Sequence, residues 1–290
     1  MEESKILNLE SRLNELAERL DQLEELIRKK ARNTELNFEV HLADHCNLNC
    51  KGCDHFSPIA DENFLCVDSY QRDLNRIKQL FGNRVGRIHL MGGEPLLNKN
   101  TINIIEATRS TFPYSQIELV TNGILLLDQS EKFWQSCHDS NVVIRPTKYP
   151  IKIDYQEILK KSERYKVAFR FYNNGEEIKQ LYHMKLDISG KQKAPHSFTY
   201  CRMSNQCAFL KNGKLYTCPV IPNICHFNKY FGQSLVVSEN DYIDLYSNTT
   251  AEEILTFLSQ PVPFCRYCNT RQIGYGNDWG CSSKKIGEWT

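Results

Sequence analysis

Apolar residues recur in steps of three and four along the first part of the chain. Polar or charged residues fill most positions between them, and the series runs Ile6, Leu9, Leu13, Leu16, Leu20, Leu23 and Ile27. A narrow apolar seam over about three heptads is typical of a coiled coil. An amphipathic helix that lies on its own domain would show a similar repeat. The pattern predicts a coiled-coil helix in residues 1–33, with self-association into a homo-oligomer through residues 4–32.

Residues 34–194 alternate between strand and helix patterns. Apolar or β-branched runs predict strands at 37–43, 86–91, 116–121, 141–146 and 166–172. Helical patterns lie between them, near 68–82, 99–111, 128–139 and 153–164. Strands that alternate with helices indicate βαβ units and a parallel sheet. The fold class is therefore α/β, and the pattern suits a barrel-like or a doubly wound sheet.

Residues 195–290 lose this regular alternation. Phe209–Lys211 and Lys214–Thr217 flank Asn212-Gly213, which is the strongest short signal for a β-hairpin. A helix is predicted near 250–259, and the prolines that follow it would end it. We predict a small, loop-rich second domain over residues 195–290.

Composition narrows the classes of function. The 290 residues include 36 Lys and Arg against 35 Asp and Glu, a formal net charge of +1. This balance argues against a nucleic-acid partner, which normally demands a basic excess. The charged N-terminus and the lack of any run of 18 apolar residues predict a cytoplasmic protein with no membrane partner. In that compartment, the 12 cysteines indicate metal or redox chemistry rather than disulfides.

The first cysteine group follows the first predicted strand. Cys46, Cys50 and Cys53 form the pattern C-x3-C-x2-C. Three cysteines can hold a [4Fe–4S] cluster and leave one iron open, whereas a structural zinc site closes with four ligands. His45 or His55 could complete such a zinc site, so both kinds of metal centre fit this spacing.

A second motif follows the second predicted strand. Gly92-Gly93-Glu94-Pro95 comes directly after the run RIHLM. The glycines allow the backbone to approach a ligand closely, and the carboxylate could receive an ammonium group. An ordinary turn between a strand and a helix would also use such residues.

Together, the two motifs resemble those of the radical S-adenosylmethionine (radical SAM) superfamily, across residues 36–290. The resemblance implies a partial (β/α)6 barrel and a [4Fe–4S] cluster held by Cys46, Cys50 and Cys53. S-adenosylmethionine would bind through Gly92, Gly93 and Glu94, and its cleavage would release a 5′-deoxyadenosyl radical that abstracts hydrogen from the substrate.

Other cofactor contacts implied by the resemblance come from the ends of later strands. Asn122 is the candidate there, and Thr121, Arg145 and Thr147 occupy similar positions. One position departs from the family, because Gly52 stands where many members carry an aromatic residue near the adenine. That departure leaves Phe56 or the backbone to contact the adenine.

The final third of the chain holds a second cysteine group. Cys201-x11-Gly213-x4-Cys218 resembles the opening of the twitch and SPASM domains of some radical SAM enzymes. The chain lacks the rest of the SPASM pattern, so the resemblance implies the shorter twitch form with one auxiliary [4Fe–4S] cluster. Its expected ligands are Cys201, Cys218, Cys265 and Cys268. Cys207 competes with Cys201, and a four-cysteine zinc ribbon is the structural alternative.

The resemblance also limits the reaction. It implies two [4Fe–4S] clusters, S-adenosylmethionine, and an electron donor such as flavodoxin or ferredoxin. We expect a small, carbohydrate-like substrate, a sugar or cyclitol alcohol that is dehydrogenated while the auxiliary cluster accepts the electron. A radical SAM maturase that modifies peptides and a zinc-stabilised coiled-coil interaction protein are the alternatives. No catalytic acid or base is assigned, although Cys281, His226 and Tyr200 are candidates.

Overall fold

A single sheet organises the chain in the computed structural model. The structure describes residues 12–17, 19–21, 23–24, 34–181, 183–204, 206, 208–272 and 278–290. In this part of the chain, the strands are β1 (Leu36–Ala43), β2 (Val85–Gly92), β3 (Gln116–Thr121), β4 (Val142–Pro146), β5 (Ala168–Phe169), β6 (Ala208–Lys211), β7 (Lys214–Tyr216) and β8 (Ile243–Asp244). Their order in the sheet is β5-β4-β3-β2-β1-β6-β7-β8.

Helices connect and cover the strands. They are α1 (Val67–Phe81), α2 (Thr101–Thr111), α3 (Glu131–Asp139), α4 (Tyr155–Arg164), α5 (Ala194–Tyr200), α6 (Val220–Phe231) and α7 (Ala251–Leu258). Strands β1 to β5 run parallel, each joined to the next through a helix, which confirms the α/β prediction. The sheet stays open, as in a partial barrel. None of the described helices is long and apolar enough to cross a membrane.

The two faces of the sheet differ because side chains alternate along each strand. On β1, Phe38, Val40 and Leu42 are buried in the main hydrophobic core, which also contains the inner sides of the helices. Glu39 and His41 therefore point to the opposite, inner face. Parallel strands place their carboxyl ends at one edge of a sheet, and barrel active sites form at that edge.

The sixth parallel strand lies on an unexpected side. β6 pairs with β1, not with β5, and β7 and β8 then extend the sheet in antiparallel fashion. The hairpin turn has positive φ angles at both Asn212 (51°) and Gly213 (73°), as the turn signal predicts. The predicted boundary between residues 194 and 195 therefore falls between two segments that share one sheet.

Residues 195–290 are more regular than the sequence pattern suggests. α6 has 12 residues, and the sequence pattern did not predict it. Its first turn contains Pro222, which is tolerated because the N–H groups of a first turn have no partner inside the helix. β5 is shorter than predicted, with two residues in place of the run 166–172.

A second hydrophobic cluster joins the C-terminal part to the first cysteine loop. It packs Phe56 against Phe227 and Trp289, with ring centroids 5.7 and 6.2 Å away. Phe56 is 1% exposed and is therefore part of this core. Phe56 is absent from the lining of the cavity described below, and its contact to an adenine stays a prediction.

The N-terminal seam is described only in part. Residues 12–17, 19–21 and 23–24 are helical, as predicted. Leu13, Leu16, Leu20 and Leu23 are each more than half exposed. Ile6, Leu9 and Ile27 lie outside the described residues, and self-association through this segment stays a prediction.

Candidate active site

A cavity of about 210 Å³ opens at the carboxyl edge of β1 to β4. The cysteine loop after β1 forms one wall, and the ends of β2, β3 and β4 form the others. Its lining includes the three cysteines of the first motif, both glycines of the second, neighbours of these motifs, and residues at the ends of β3 and β4: Cys46, Cys50, Cys53, Asp54, His55, Met91, Gly92, Gly93, Val120, Thr121, Asn122, Thr147 and Tyr149. The separate sequence motifs therefore meet at one site.

The three thiols of the first motif are held in a largely buried loop. Burial raises the pKa of Cys50 to about 12 and that of Cys53 to about 11, and it also raises the pKa of Cys46. The charges of other thiols in the group also raise the pKa of Cys50 and that of Cys53. Ligation requires thiolates, so metal binding here would release protons.

Hydrogen-bond donors surround the sulfur atoms. The backbone N–H of Leu48 lies 3.4 Å from Cys46 Sγ, and the Asn122 amide nitrogen lies 3.6 Å from the same sulfur. The indole N–H of Trp279 donates to Cys50 Sγ at 3.2 Å. Donors of this kind stabilise thiolate ligands and tune the potential of iron–sulfur clusters. The donor set therefore fits a [4Fe–4S] cluster.

The histidines of the zinc alternative are placed differently from each other. His45 is absent from the cavity lining, stacks on Phe64 at 5.0 Å and lies 3.6 Å from Glu62. His55 lines the cavity, but its Nδ1 is 2.9 Å from His41 Nε2 and 3.4 Å from the Gly92 carbonyl oxygen. In the described part of the chain, no three His, Cys, Asp or Glu side chains surround a point where one metal ion would bind.

The two glycines of the second motif are required by close backbone packing. A Cβ atom at Gly92 would lie 2.4 Å from the Ala43 carbonyl oxygen, and one at Gly93 would lie 2.1 Å from that of His45. The backbone N–H of Gly93 donates to Ala43 at 2.8 Å. The glycines thus bring the end of β2 against the cysteine loop, and their backbone forms part of the cavity wall.

Glu94 has a structural position that the motif alone did not indicate. It is fully buried and lies behind the cavity wall. Its carboxylate accepts hydrogen bonds from the Thr121 hydroxyl (2.7 Å), the Asn122 N–H (2.9 Å) and the Leu96 N–H (3.1 Å). The side chain therefore ties the end of β2 to the end of β3, and cofactor binding by Gly92, Gly93 and Glu94 stays a prediction.

Asn122 directly follows β3 and lies at the cavity wall. Its side-chain amide donates to Asn47 Oδ1 at 2.7 Å, and its own oxygen accepts from the Ile124 N–H at 3.0 Å. These bonds fix the side chain beside Cys46. Thr147 follows β4 and also lines the cavity, where its N–H donates to the Thr121 carbonyl at 3.1 Å.

The second cysteine group also converges. Four cysteines distant in sequence line one small pocket: Cys201, Cys218, Cys265 and Cys268. Burial, followed by the charges of neighbouring cysteines, raises the pKa of Cys218 and that of Cys268 well above the ordinary value. Cys207, the rival ligand, lies outside the described residues. The expected ligand set is thus brought together, in a pocket otherwise lined mainly by apolar side chains.

Asp54 connects the two cysteine groups. It follows Cys53, lines the large cavity, and accepts a hydrogen bond from the backbone N–H of Met184 at 2.7 Å. Met184 lines the pocket of the second cysteine group. Burial raises the pKa of Asp54 to about 7. A short, buried route therefore runs from the first cysteine loop to the second group.

The C-terminal segment covers the first cysteine loop, which the sequence analysis did not foresee. The Lys51 N–H donates to the Gly280 carbonyl (2.8 Å), and the Ser282 N–H donates to Asn49 (2.7 Å). The Trp289 indole donates to the Cys53 carbonyl at 2.9 Å. Gly52 is needed beneath this segment, because its φ is +67° and a Cβ would lie 3.0 Å from the Glu288 carbonyl oxygen.

Tyr149 is the aromatic side chain that lines the cavity. It stands three residues after β4, and its ring lies 5.7 Å from that of Trp279. Burial, together with the nearby thiols Cys50 and Cys53, raises the pKa of Tyr149 well above the ordinary value. Its position in a turn after a strand was the only sequence signal that could have indicated it.

The remaining candidate residues do not line this cavity, although Cys281 lies directly beside it. His226 faces Asp44 at 3.6 Å, and Tyr200 stacks on His196 at 4.6 Å. Cys281 pairs in a β-bridge with Cys50. Cys137 is fully buried in the main core, as expected for a small apolar side chain.

Comparisons with known proteins agree with the cysteine motif. Residues 38–167 match the family described as a 4Fe-4S single cluster domain. The GTP 3',8-cyclase of Clostridium perfringens (strain SM101 / Type A) is 31% identical over 95 residues, covering 32% of this chain and 28% of that protein. The GTP 3',8-cyclase of Tolumonas auensis is 29% identical over 101 residues, covering 34% and 29%. The chain thus spans less than a third of these relatives' length.

One solved structure is similar along most of the chain. The structure described as BtrN in complex with AdoMet and 2-DOIA is 15% identical and has a TM-score of 0.50. The match covers 84% of this chain and 98% of that chain. At this identity the match shows a shared fold, and it extends that similarity beyond residues 38–167.

Proposed function

We propose that this chain, a member of the radical SAM superfamily, is an enzyme that removes a hydrogen atom from a small polar substrate. When bound, a [4Fe–4S] cluster and S-adenosylmethionine would supply the electron and the 5′-deoxyadenosyl group that this chemistry needs. The observation that carries the proposal is that the three cysteines of the first motif line one cavity with Gly92, Gly93 and Asn122.

The residues of this cavity would bind and orient the reactants. The backbone of Gly92 and Gly93 forms part of the cavity wall, where its carbonyl oxygens could accept hydrogen bonds from an ammonium group. Asn122 presents a fixed amide beside Cys46. The C-terminal segment over the cysteine loop would limit the entry of water, which protects a reactive intermediate from side reactions.

The proposed reaction is the dehydrogenation of a sugar or cyclitol alcohol. Removal of the hydrogen atom beside a hydroxyl group leaves a carbon radical, and loss of the hydroxyl proton and one electron then gives the ketone. The pocket of Cys201, Cys218, Cys265 and Cys268 is the candidate site for an electron acceptor. The contact between Asp54 and Met184, which links the two cysteine groups, supports this assignment.

Metal content tests the first part of the proposal. Anaerobically purified and reconstituted protein should hold about eight irons per chain, as two cubane clusters require. Replacing Cys46, Cys50 and Cys53 by Ala should abolish cleavage of S-adenosylmethionine. Cys225→Ala is the matched control, because this exposed cysteine belongs to neither group. A colourless protein that holds zinc in place of iron would contradict the proposal.

A second experiment tests the electron acceptor and the substrate class. The double variant Cys265→Ala with Cys268→Ala should retain about four irons per chain and should still cleave S-adenosylmethionine. It should not form the oxidised product. Turnover that survives this change would exclude the acceptor role. Transfer of deuterium into 5′-deoxyadenosine from labelled sugars or cyclitols would support the substrate class. Transfer from labelled peptides would instead support a maturase.

A further inference from the structure

The inner face of the sheet carries an unusual row of charged side chains. Glu39 on β1, His89 on β2 and Glu118 on β3 are register partners, so they lie side by side on this face. Arg145 on β4 is the register partner of Val120, which lines the cavity. Arg145 therefore stands one level nearer to the cavity than Glu118, next to a residue of the cavity wall.

Glu118 is the centre of this row. Its side chain is fully buried, and the Arg145 guanidinium donates to its Oε2 at 2.8 Å. His89 Nε2 lies 3.1 Å from the same oxygen, and Arg170 contacts the other oxygen. Burial alone would raise the pKa of Glu118, but the bond from His89 and the two guanidinium charges lower it to about 2. Glu118 is thus an ionised carboxylate that faces two cations.

Positive charge remains after this pairing. Arg145 and Arg170 carry two charges against the single charge of Glu118. Glu39, on the same face, does not balance the excess near neutral pH, because burial raises the pKa of Glu39 to about 8. Arg87 precedes His89 by two residues on the same face of β2, one level further from the cavity, and adds another guanidinium. The inner face therefore favours a negatively charged ligand.

Arg145 also has an unused donor. Its Nε is buried and has no hydrogen-bond partner among the described residues. The guanidinium lies 5.3 Å from the centre of the Tyr172 ring, and this contact fixes the plane of the group together with the bond to Glu118. A fixed guanidinium with a free N–H edge suits carboxylate or phosphate oxygens, which accept hydrogen bonds from such a planar fork.

We propose that Arg145 binds an anionic group of the substrate, a phosphate or a carboxylate, at the inner end of the cavity. Glu118 and Tyr172 position the guanidinium for this contact. This inference deepens the proposed function and rests on it, because it narrows the class of small polar substrates to those that carry a negative charge.

Protection from arginine modification tests the site directly. The full-length reconstituted protein is treated with phenylglyoxal, and labelled peptides are counted by mass spectrometry. Inorganic phosphate or malonate, added as a probe, should lower labelling of Arg145 severalfold. Arg164 is the internal control, because it is exposed on α4 and its labelling should not change. Protection by phosphate alone identifies a phosphate site, and protection by malonate alone a carboxylate site.

Unchanged labelling of Arg145 with both probes would overturn the inference. If S-adenosylmethionine protects Arg145 in that case, Arg145 belongs to the cofactor site. This readout needs no turnover, so it still decides the role of Arg145 if the protein does not cleave S-adenosylmethionine and the proposed function fails.

A turnover experiment adds an independent readout. Glucose is compared with glucose 6-phosphate and glucuronate as promoters of 5′-deoxyadenosine formation by the reconstituted enzyme. The anionic sugars should promote it more strongly than glucose, and Arg145→Ala should remove that difference. Arg145→Lys, which keeps the charge without the planar fork, should restore it only in part. Equal promotion by glucose and by both anionic sugars would contradict an anion site.

Discussion

Glu39 and Glu94 are buried carboxylates with different surroundings. Glu94 accepts three hydrogen bonds at the ends of β2 and β3, and burial raises its pKa only to about 7. Glu39 lies in the middle of β1, where burial raises its pKa from 4.5 to about 8. A carboxyl group that is protonated in the folded chain and ionised in the unfolded chain makes stability depend on pH.

Glu39→Gln should therefore change the pH dependence of stability. The raised pKa of Glu39 contributes stability fully below pH 4.5, and this contribution is lost as the pH rises towards 8. In that window, ionisation of Glu39 should lower the free energy of unfolding of the wild type by up to about 1.4 kcal/mol per pH unit. Glu39→Gln should lack this dependence, because Gln does not titrate. Urea unfolding from pH 5 to 8 should show that the free energy of unfolding of Glu39→Gln rises relative to that of the wild type. A difference between the two proteins that stays constant over this range would contradict this account.

Trp279 offers a second test at the residue scale. Its indole N–H donates to Cys50 Sγ, and such a bond stabilises the reduced, more negative state of a cluster. Trp279→Phe should therefore make the midpoint potential of the first cluster more negative, measured by a redox titration followed by EPR. Trp134→Phe is the matched control, because Trp134 lies in the main core away from the cavity. An unchanged potential in Trp279→Phe would exclude this role.

Among the elements, the hairpin β6–β7 depends on one turn. Gly213 has a φ of +73°, and a Cβ there would lie 2.7 Å from the Tyr246 ring. Asp73 on α1 accepts from the Gly213 N–H at 2.9 Å and from the Tyr246 hydroxyl at 2.8 Å. The turn is thus held between a helix and an aromatic ring, and it fixes the strand that pairs with β1.

Gly213→Ala should destabilise the fold by about 2–4 kcal/mol, since it combines backbone strain with a steric clash. Gly232→Ala separates the two effects. Its φ is similar, +61°, but a Cβ there would meet no atom within 4 Å, so it should cost only about 1–2 kcal/mol. The measurement is urea unfolding of both variants. Equal decreases in the free energy of unfolding would show that the clash with Tyr246 does not contribute to the destabilisation.

The sequence predicted elements where a local pattern decides them. The strand β3 and the turn at Asn212-Gly213 follow from alternation and from turn chemistry. The pairing of β6 with β1 could not be predicted. The hairpin signal identifies β7 as one neighbour of β6, but it carries no information about the strand on the other side of β6. Trp279 and Tyr149 were missed for a similar reason, since their places at the cavity depend on contacts between distant segments.

At the scale of the whole molecule, the C-terminal segment connects the first cysteine loop with the second hydrophobic cluster. It contacts the first cysteine loop through Trp279 and Trp289, and Trp289 belongs to the hydrophobic cluster that contains Cys218. Asp54, which follows Cys53, adds a hydrogen bond to Met184 in the pocket of the second cysteine group. These contacts make the two predicted domains dependent on each other, so the environment of each cysteine group rests on residues from both sides of residue 194.

The N-terminal helix stands outside this arrangement, and its exposed leucines bear on the assembly. Leu16 and Leu20 are 54% and 59% exposed, and they occupy consecutive seam positions of the predicted coiled coil. Leu16→Lys with Leu20→Lys would place charges in the seam and should convert an oligomer to a monomer in size-exclusion chromatography with light scattering. Asn14→Lys, outside the seam, should leave the oligomer intact. Because no described residue of this helix lines the cavity, iron content should not change. A wild-type monomer would exclude self-association through residues 4–32.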